Sequence, residues 1–200
     1  MIYARRFYVG RGSVYFLGWN LVLAWIPMLV AFATYSVHFS RTRRNVLFAF
    51  CALTWFIFFP NAPYIITDFV HLDFGTTPAL MWIGLFAIAS SAWTGLCLGY
   101  VSLCLMQEIV RARCGRIVGW LFVLAMLAVS SLGIYMGRFL RWNSWDVLRH
   151  PFHLFKYGRY DHQDFVQPAM RTFLLLMFLF LVLSYGTFYA LAQLHEQERS

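Results

Sequence analysis

The chain has 200 residues, of which 61% are hydrophobic, 20% aromatic and only 12% charged, with a mean hydropathy of +0.64. This composition excludes a soluble globular enzyme and favours a protein built to lie in a membrane. The formal net charge is +8, and the basic residues flank apolar runs. We therefore expect them to set the orientation of the chain in a lipid bilayer and to contact anionic lipid, and we predict no nucleic-acid partner.

Five apolar runs are each long enough to cross a hydrocarbon core, which takes about 20 helical residues. They cover residues 14–38, 45–67, 78–106, 117–140 and 169–192. Each must be a helix, because an open strand would leave its backbone polar groups unpaired in lipid. The sequence predicts an all-α fold, a polytopic transmembrane helical bundle of about five spans, forming a single integral membrane domain over residues 1–200.

The first run does not have the form of a cleaved signal peptide. It is long, contains Asn20 and Pro27, and is not followed by a small-x-small site. The four cysteines form no Cys-x-x-Cys pair, so we predict neither a disulfide framework nor a thiolate metal site.

The second run is interrupted by Pro60 and Pro63, which donate no backbone hydrogen bond. We expect a helix break there, with Asn61 as the N-cap of a new turn. The polar residues of this phrase are Asn61, Tyr64, Asp68 and His71, at spacings of 3, 4 and 3, which place them on one helical face. The alternative is a purely structural role for these residues. Asn61 then only caps a helix, Tyr64 belongs to an interfacial aromatic belt, and Asp68 and His71 are solvated ends.

Small residues in the third and fourth runs indicate close helix packing. In the third run they recur every four residues, as Ala87, Ser91, Gly95 and Gly99. In the fourth run, Gly133 and Gly137 form a GxxxG motif. We predict that both patterns are packing seams rather than ligand sites.

A second polar phrase follows the fourth run. Asn143 and Ser144 indicate a break, and Ser144 is suited to cap a short helix with Asp146 in its first turn. Aromatic and basic residues alternate through the rest of the 141–168 segment, which predicts a short interfacial helical segment.

The order of the runs places residues on two membrane faces. Compact arginine clusters occupy the short loops 41–44 and 111–116, which we assign to the cytoplasm. The 67–77 loop and the 141–168 segment then face outward, so both polar phrases lie on the outer face.

Three phrases carry a resemblance to a known family. They are residues 19–27, beginning Trp-Asn; residues 59–72, containing Pro-Asn-Ala-Pro-Tyr; and residues 133–146, containing Gly-Arg-Phe and Asn-Ser-Trp-Asp. The chain resembles the DUF1361 family over about residues 14–150. The resemblance implies a multi-pass protein of the bacterial cytoplasmic (inner) membrane and implies no reaction.

Polar side chains are costly within a bilayer, so the two phrases form a candidate functional site. Its residues are Asn61, Tyr64, Asp68, His71, Arg138, Arg141, Asn143 and Asp146. In a membrane-embedded enzyme, Asp68 or His71 would act as general base, and the two arginines would hold a phosphate or carboxylate. The other four residues would bind and orient a lipid-linked or anionic head-group substrate.

Two other functions remain open at this point. One is the binding or transport of a small anion or a lipid, as interrupted helices allow. The other is a scaffold or partner subunit of another membrane protein, without catalysis, in which acidic and basic residues neutralise one another. The sequence indicates no cofactor and leaves open whether the protein is an enzyme. Asp68-x-x-His71 alone is a weak metal motif, with Asp73, His150, His153 and His162 as further ligands, and we predict no metal site.

Overall fold

A computed structural model describes the backbone of residues 2–39, 45–72, 77–139 and 168–197, and side chains within 17–36, 46–72, 77–139 and 168–194. The predicted interfacial helix lies almost entirely outside the described residues. So do three of the predicted site residues, namely Arg141, Asn143 and Asp146.

The described residues are all-α, without a strand among them, which confirms the predicted fold class. The elements are α1 (Ile2–Phe39), α2 (Asn45–Phe58), α3 (Asn61–Tyr64), a 3₁₀ helix (Ile65–His71), α4 (Pro78–Cys114), α5 (Arg116–Phe139) and α6 (Pro168–Gln197).

Within these ranges, five helical stretches are long and apolar enough to cross a membrane. They are Leu17–Ser36, Val46–His71, Pro78–Cys114, Arg116–Phe139 and Pro168–Leu194. They match the five runs predicted from the sequence. Large apolar side chains such as Trp25, Phe50 and Phe86 are exposed, as a lipid-facing surface requires.

Two compact units divide the chain, Met1–Leu105 and Met106–Ser200, and the boundary lies inside α4. In the first unit, α1 packs against α2, α3 and the 3₁₀ helix. The prediction of a single membrane domain is untested by this division.

The inward side of α1 is a seam of small and polar residues. The buried members are spaced alternately by four and three, at Asn20, Ala24, Pro27, Ala31 and Thr34. This is the spacing with which one helix faces another, and the small side chains let the backbones approach. The neighbouring large residues, Trp19 and Phe32, are exposed.

The interruption of the second span is less abrupt than predicted. Pro60, with φ −61° and ψ −20°, is the N-cap of α3 and makes no side-chain cap bond, so Asn61 is the first helical residue. The prediction of Asn61 as N-cap was therefore wrong by one position. Because Pro60 keeps a helical backbone, turn bonds bridge the gap: Ala62 N donates to Phe59 O at 3.1 Å, and Tyr64 N donates to Pro60 O at 3.1 Å.

In the second unit, α4 and α5 form a tight hairpin. Gly115 has φ +89°, a left-handed conformation that a side chain disfavours, and its N–H donates to Arg111 O at 2.9 Å. Farther along, the Tyr185 hydroxyl of α6 donates to Gln107 Oε1 of α4 at 2.6 Å. The ring of Trp120 in α5 meets that of Tyr189 edge-on at 4.9 Å.

Candidate functional site

The most costly polar group in the described part of the first unit is the carboxyl group of Asp68, whose side chain is 0% exposed. Asp68 lies in the 3₁₀ helix that continues the second span after α3. Such a helix has about three residues per turn, so side chains three apart align. Ile65 and Asp68 are both buried, whereas His71, where the helix ends, is exposed.

Asn20 of α1 holds this carboxyl group. Its Nδ2 donates a hydrogen bond to Asp68 Oδ2 at 2.8 Å, and only 7% of Asn20 is exposed. A hydrogen bond to a carboxylate is among the stronger kinds, and a buried carboxylate without one is strongly unfavourable. The bond links two residues that are 48 positions apart in the chain. It therefore joins α1 to the end of the second span.

A small apolar cluster supports the same segment. Its buried members are Ala24 of α1, Ala62 of α3, Ile65 of the 3₁₀ helix and Ala92 of α4. Three of the four are alanines, so the backbones approach closely, and Asp68 is placed by backbone contacts of its own segment.

Glycines of α4 make the approach closer still. A Cβ atom at Gly95 would lie 2.8 Å from Ala62 O and 2.8 Å from Ile65 Cδ1. At Gly99 it would lie 3.1 Å from Ala62 Cβ. The packing seam predicted for the third span is thus confirmed at these two positions. No comparable contact is described for Gly133 and Gly137, whose role stays a prediction.

A polar chain fixes α2 to α4 just before the interruption. The indole N–H of Trp55 donates to Ser102 Oγ at 3.3 Å, and Ser102 Oγ donates to Gly99 O at 2.8 Å. The Trp55 ring also stacks on Phe59 with ring centroids 4.8 Å apart. The segment from Pro60 to His71 therefore follows a part of α2 that is held to α4 by hydrogen bonds.

The other predicted residues of the first phrase differ in exposure. Asn61 and Tyr64 are half-buried, and the carbonyl of Tyr64 accepts a hydrogen bond from Thr67 Oγ1 at 2.8 Å. His71 is exposed. Among the predicted residues of the first phrase, His71 and the half-buried pair therefore have exposed surface to offer a ligand, whereas Asp68 has none.

Arg138 of the second phrase lies in the last turn of α5 and is half-buried. A cation there is favoured by the partial negative charge of the helix C-terminus. The predicted partners from the same phrase, Arg141, Asn143 and Asp146, lie outside the described residues. The neutralisation of acidic by basic residues that the scaffold function implies stays a prediction.

No three His, Cys, Asp or Glu side chains gather as metal ligands within the part of the chain that the structure describes. Asp68 and His71, the two residues of the weak metal motif, differ in burial, one fully buried and the other exposed. Four further residues considered for that site are outside the described ranges, namely Asp73, His150, His153 and His162.

Sequence reasoning missed Asn20 as a site residue. A signal was present, because Asn20 is a polar residue on the small-residue seam of α1, in phase with Ala24 and Thr34. The identity of its partner could not be obtained from the pattern, since Asp68 is remote in sequence and belongs to an irregular segment.

The comparisons with known proteins identify a family. A family model described as "Protein of unknown function (DUF1361)" matches residues 19–185. Neither a curated protein nor a solved structure matches the chain. The matched region includes Asn20, the interrupted span and Arg138, and it covers most of the 200 residues. The chain therefore belongs to the DUF1361 family.

Proposed function

We propose that this protein of the bacterial cytoplasmic membrane binds a polar head group, lipid-linked or anionic, at the outward end of its interrupted second span. The observation that carries the proposal is the fully buried carboxyl group of Asp68, held by Asn20 Nδ2 at 2.8 Å. An ionisable residue inside a membrane span is costly, and such residues usually serve binding or chemistry.

Packing alone does not require a carboxyl group at this position. The neighbouring core consists of alanines and Ile65, so apolar side chains in place of both Asp68 and its partner Asn20 would leave no buried polar group unpaired. Replacing buried ionic groups by apolar ones is often neutral or stabilising in other proteins. The carboxyl group is therefore better explained by a role in a polar site than by stability.

The exposure of each residue suggests its part in this site. His71 is exposed and Tyr64 half-buried, so these two would contact the head group, while Asp68 would act from behind them. For an anionic group the proposal relies on Arg138 and Arg141, because guanidinium groups match the geometry of phosphate and carboxylate. In an enzyme built on this site, His71 would exchange protons near neutral pH.

A scaffold function is the second candidate, and one observation favours it. Gly95 and Gly99 contact the α3 backbone so closely that the interrupted segment is tightly packed. A polar plug that only fixes helices together would have the same packing. The alternative of anion or lipid transport would need the same segment to move.

Lipid retention separates these functions. We would place the protein in nanodiscs of phosphatidylcholine with a minor fraction of phosphatidylglycerol, and count retained lipids by native mass spectrometry. We expect selective retention of phosphatidylglycerol, weakened about tenfold, or about 1.4 kcal/mol, by His71→Gln and by Arg138→Lys.

The matched control is Arg113→Lys, which changes an exposed guanidinium at the α4–α5 hairpin. We expect this variant to retain phosphatidylglycerol as the natural protein does. Folded fraction is measured for each variant by circular dichroism and gel filtration. If retention falls only in proportion to folded protein, the binding function is wrong and the scaffold function stands.

A further inference from the structure

We infer that Asn20 is a positioning residue of the polar site, which sets the orientation of the Asp68 carboxyl group and the rotation of α1 about its axis. The inference rests on the proposed function for its consequence, head-group binding. Its structural content, one hydrogen bond between α1 and the 3₁₀ helix, stands apart from that function.

The first argument is the place of Asn20 on α1. Among the described side chains of α1, which begin at residue 17, it is the first buried residue of a seam that continues through Ala24, Pro27, Ala31 and Thr34. The hydroxyl group of Thr34 forms its hydrogen bond within α1, because its Oγ1 donates to Val30 O at 2.7 Å. Asn20 instead donates from its side-chain amide to Asp68 of the 3₁₀ helix.

The second argument is rotation. Successive helical residues are about 100° apart, so a rotation of α1 by that angle would place Trp19 on the side where Asn20 now lies. Trp19 is 57% exposed, while Asn20 is 7% exposed. A buried polar residue whose hydrogen bond crosses to another element is known to specify register, because other arrangements leave it unsatisfied. The Asn20–Asp68 bond supplies that constraint here.

The third argument is charge. A neutral amide orients one carboxylate oxygen without bringing a cation of its own. An apolar residue at position 20 would remove a donor from a carboxyl group that is 0% exposed. Asn20 therefore gives one oxygen of the carboxyl group a fixed donor and places no cation beside it.

The test uses Asn20→Leu, with Thr34→Val as the matched control on the same seam. The readout that does not depend on lipid is the infrared carboxyl band of Asp68, taken as the difference between the natural protein and Asp68→Asn. We expect Asn20→Leu to shift this band and Thr34→Val to leave it unchanged. An unshifted band in Asn20→Leu would overturn the inference whatever the protein binds.

The second readout is phosphatidylglycerol retention in the nanodiscs described above. We expect Asn20→Leu to reduce it about tenfold and Thr34→Val to leave it unchanged. If the band shifts while the natural protein itself shows no lipid preference, the proposed function fails and the positioning role of Asn20 stands. If Asn20→Leu does not fold, Asn20→Ala takes its place in both measurements.

An exchange variant separates positioning from simple stabilisation. The double substitution Asn20→Asp with Asp68→Asn keeps one amide and one carboxyl group, with donor and acceptor reversed. We expect it to recover thermal stability relative to Asn20→Asp alone, while retention stays low because the carboxyl group now belongs to α1. Recovery of both stability and retention would overturn the inference and show that the pair acts only as a structural bond.

Discussion

The contact between Gly95 and the interrupted span makes a quantitative prediction for Gly95→Ala. The added Cβ would lie 2.8 Å from Ala62 O and 2.8 Å from Ile65 Cδ1, closer than real Cβ contacts. The carbonyl oxygen is part of the α3 backbone and cannot turn away as a side chain would. Overpacking of this kind costs about 1–3 kcal/mol.

Replacing glycine by alanine also stabilises a helix by itself, and this effect must be separated from the steric cost. Alanine stabilises a helix relative to glycine by about 1 kcal/mol. Gly84→Ala provides the correction, because Gly84 lies in the same helix and its added Cβ would meet only Leu72 Cδ1 at 3.6 Å, an ordinary contact. The difference between the two variants isolates the steric cost, so we expect Gly95→Ala to be less stable than Gly84→Ala by roughly 1–3 kcal/mol.

The measurement is reversible unfolding in mixed micelles, followed by tryptophan fluorescence and circular dichroism. Gly99→Ala should fall between the two, since its Cβ would lie 3.1 Å from Ala62 Cβ. Ile65→Val in the Gly95→Ala background removes the Cδ1 atom and should recover part of the loss. If Gly95→Ala unfolds at the same denaturant fraction as Gly84→Ala, α4 does not pack against α3 as described.

Three further predictions concern other parts of the chain. Gly115→Ala should destabilise the α4–α5 hairpin by about 1 kcal/mol in the same unfolding assay, because φ of +89° is unfavourable for a residue with a Cβ. An unchanged free energy of unfolding would contradict the left-handed turn. An impermeant maleimide should label the Thr77→Cys, Cys114→Ser double variant in intact cells. In the natural protein it should label Cys114 only after the cells are permeabilised, and the opposite result would reverse the orientation. Asn20→Leu and Asp68→Ala should show a coupling of about 1 kcal/mol in a double-mutant cycle of thermal stability, because the Asn20 amide donates to the Asp68 carboxyl group, and simple additivity would refute this hydrogen bond.

The spans could be predicted from the sequence because the bilayer imposes their length and composition. A run such as 117–140 has to be helical and apolar throughout, and the structure has Arg116–Phe139. The small-residue stripe also predicted a real contact at Gly95 and Gly99, since glycine at helical spacing has few uses other than close approach.

Local detail at the interruption was beyond the sequence pattern. Proline signals a break but not its geometry, and Pro60 kept a helical backbone, which moved the cap one residue ahead of Asn61. The change from α-helix to 3₁₀ helix after Tyr64 was also not predicted, and it alters which side chains align. Residues four apart do not align in a 3₁₀ helix, so periodicity based on the α-helix was a poor guide to the relation between Tyr64 and Asp68, of which only Asp68 is fully buried.

The contact between Asn20 and Asp68 shows a more general reason for that shortfall. Hydropathy identifies which residues are unusual in a span, and both residues were visible in that sense. Their pairing depends on how α1 is rotated and on where the irregular segment places a side chain, and neither is encoded in a local pattern.

Within the first unit, different residues determine the distance between the helices and the direction of the polar group. Small residues of α1 and α4 set the distance to the Pro60–His71 segment, and one amide sets the direction of its carboxyl group. A polar group placed in this way, by close helix packing and a hydrogen bond from a neutral amide, has the support that a binding site requires. Changes that disturb distance, such as Gly95→Ala, should therefore lower stability and binding together, whereas changes that disturb direction, such as Asn20→Leu, should lower binding by more than the loss of folded protein explains.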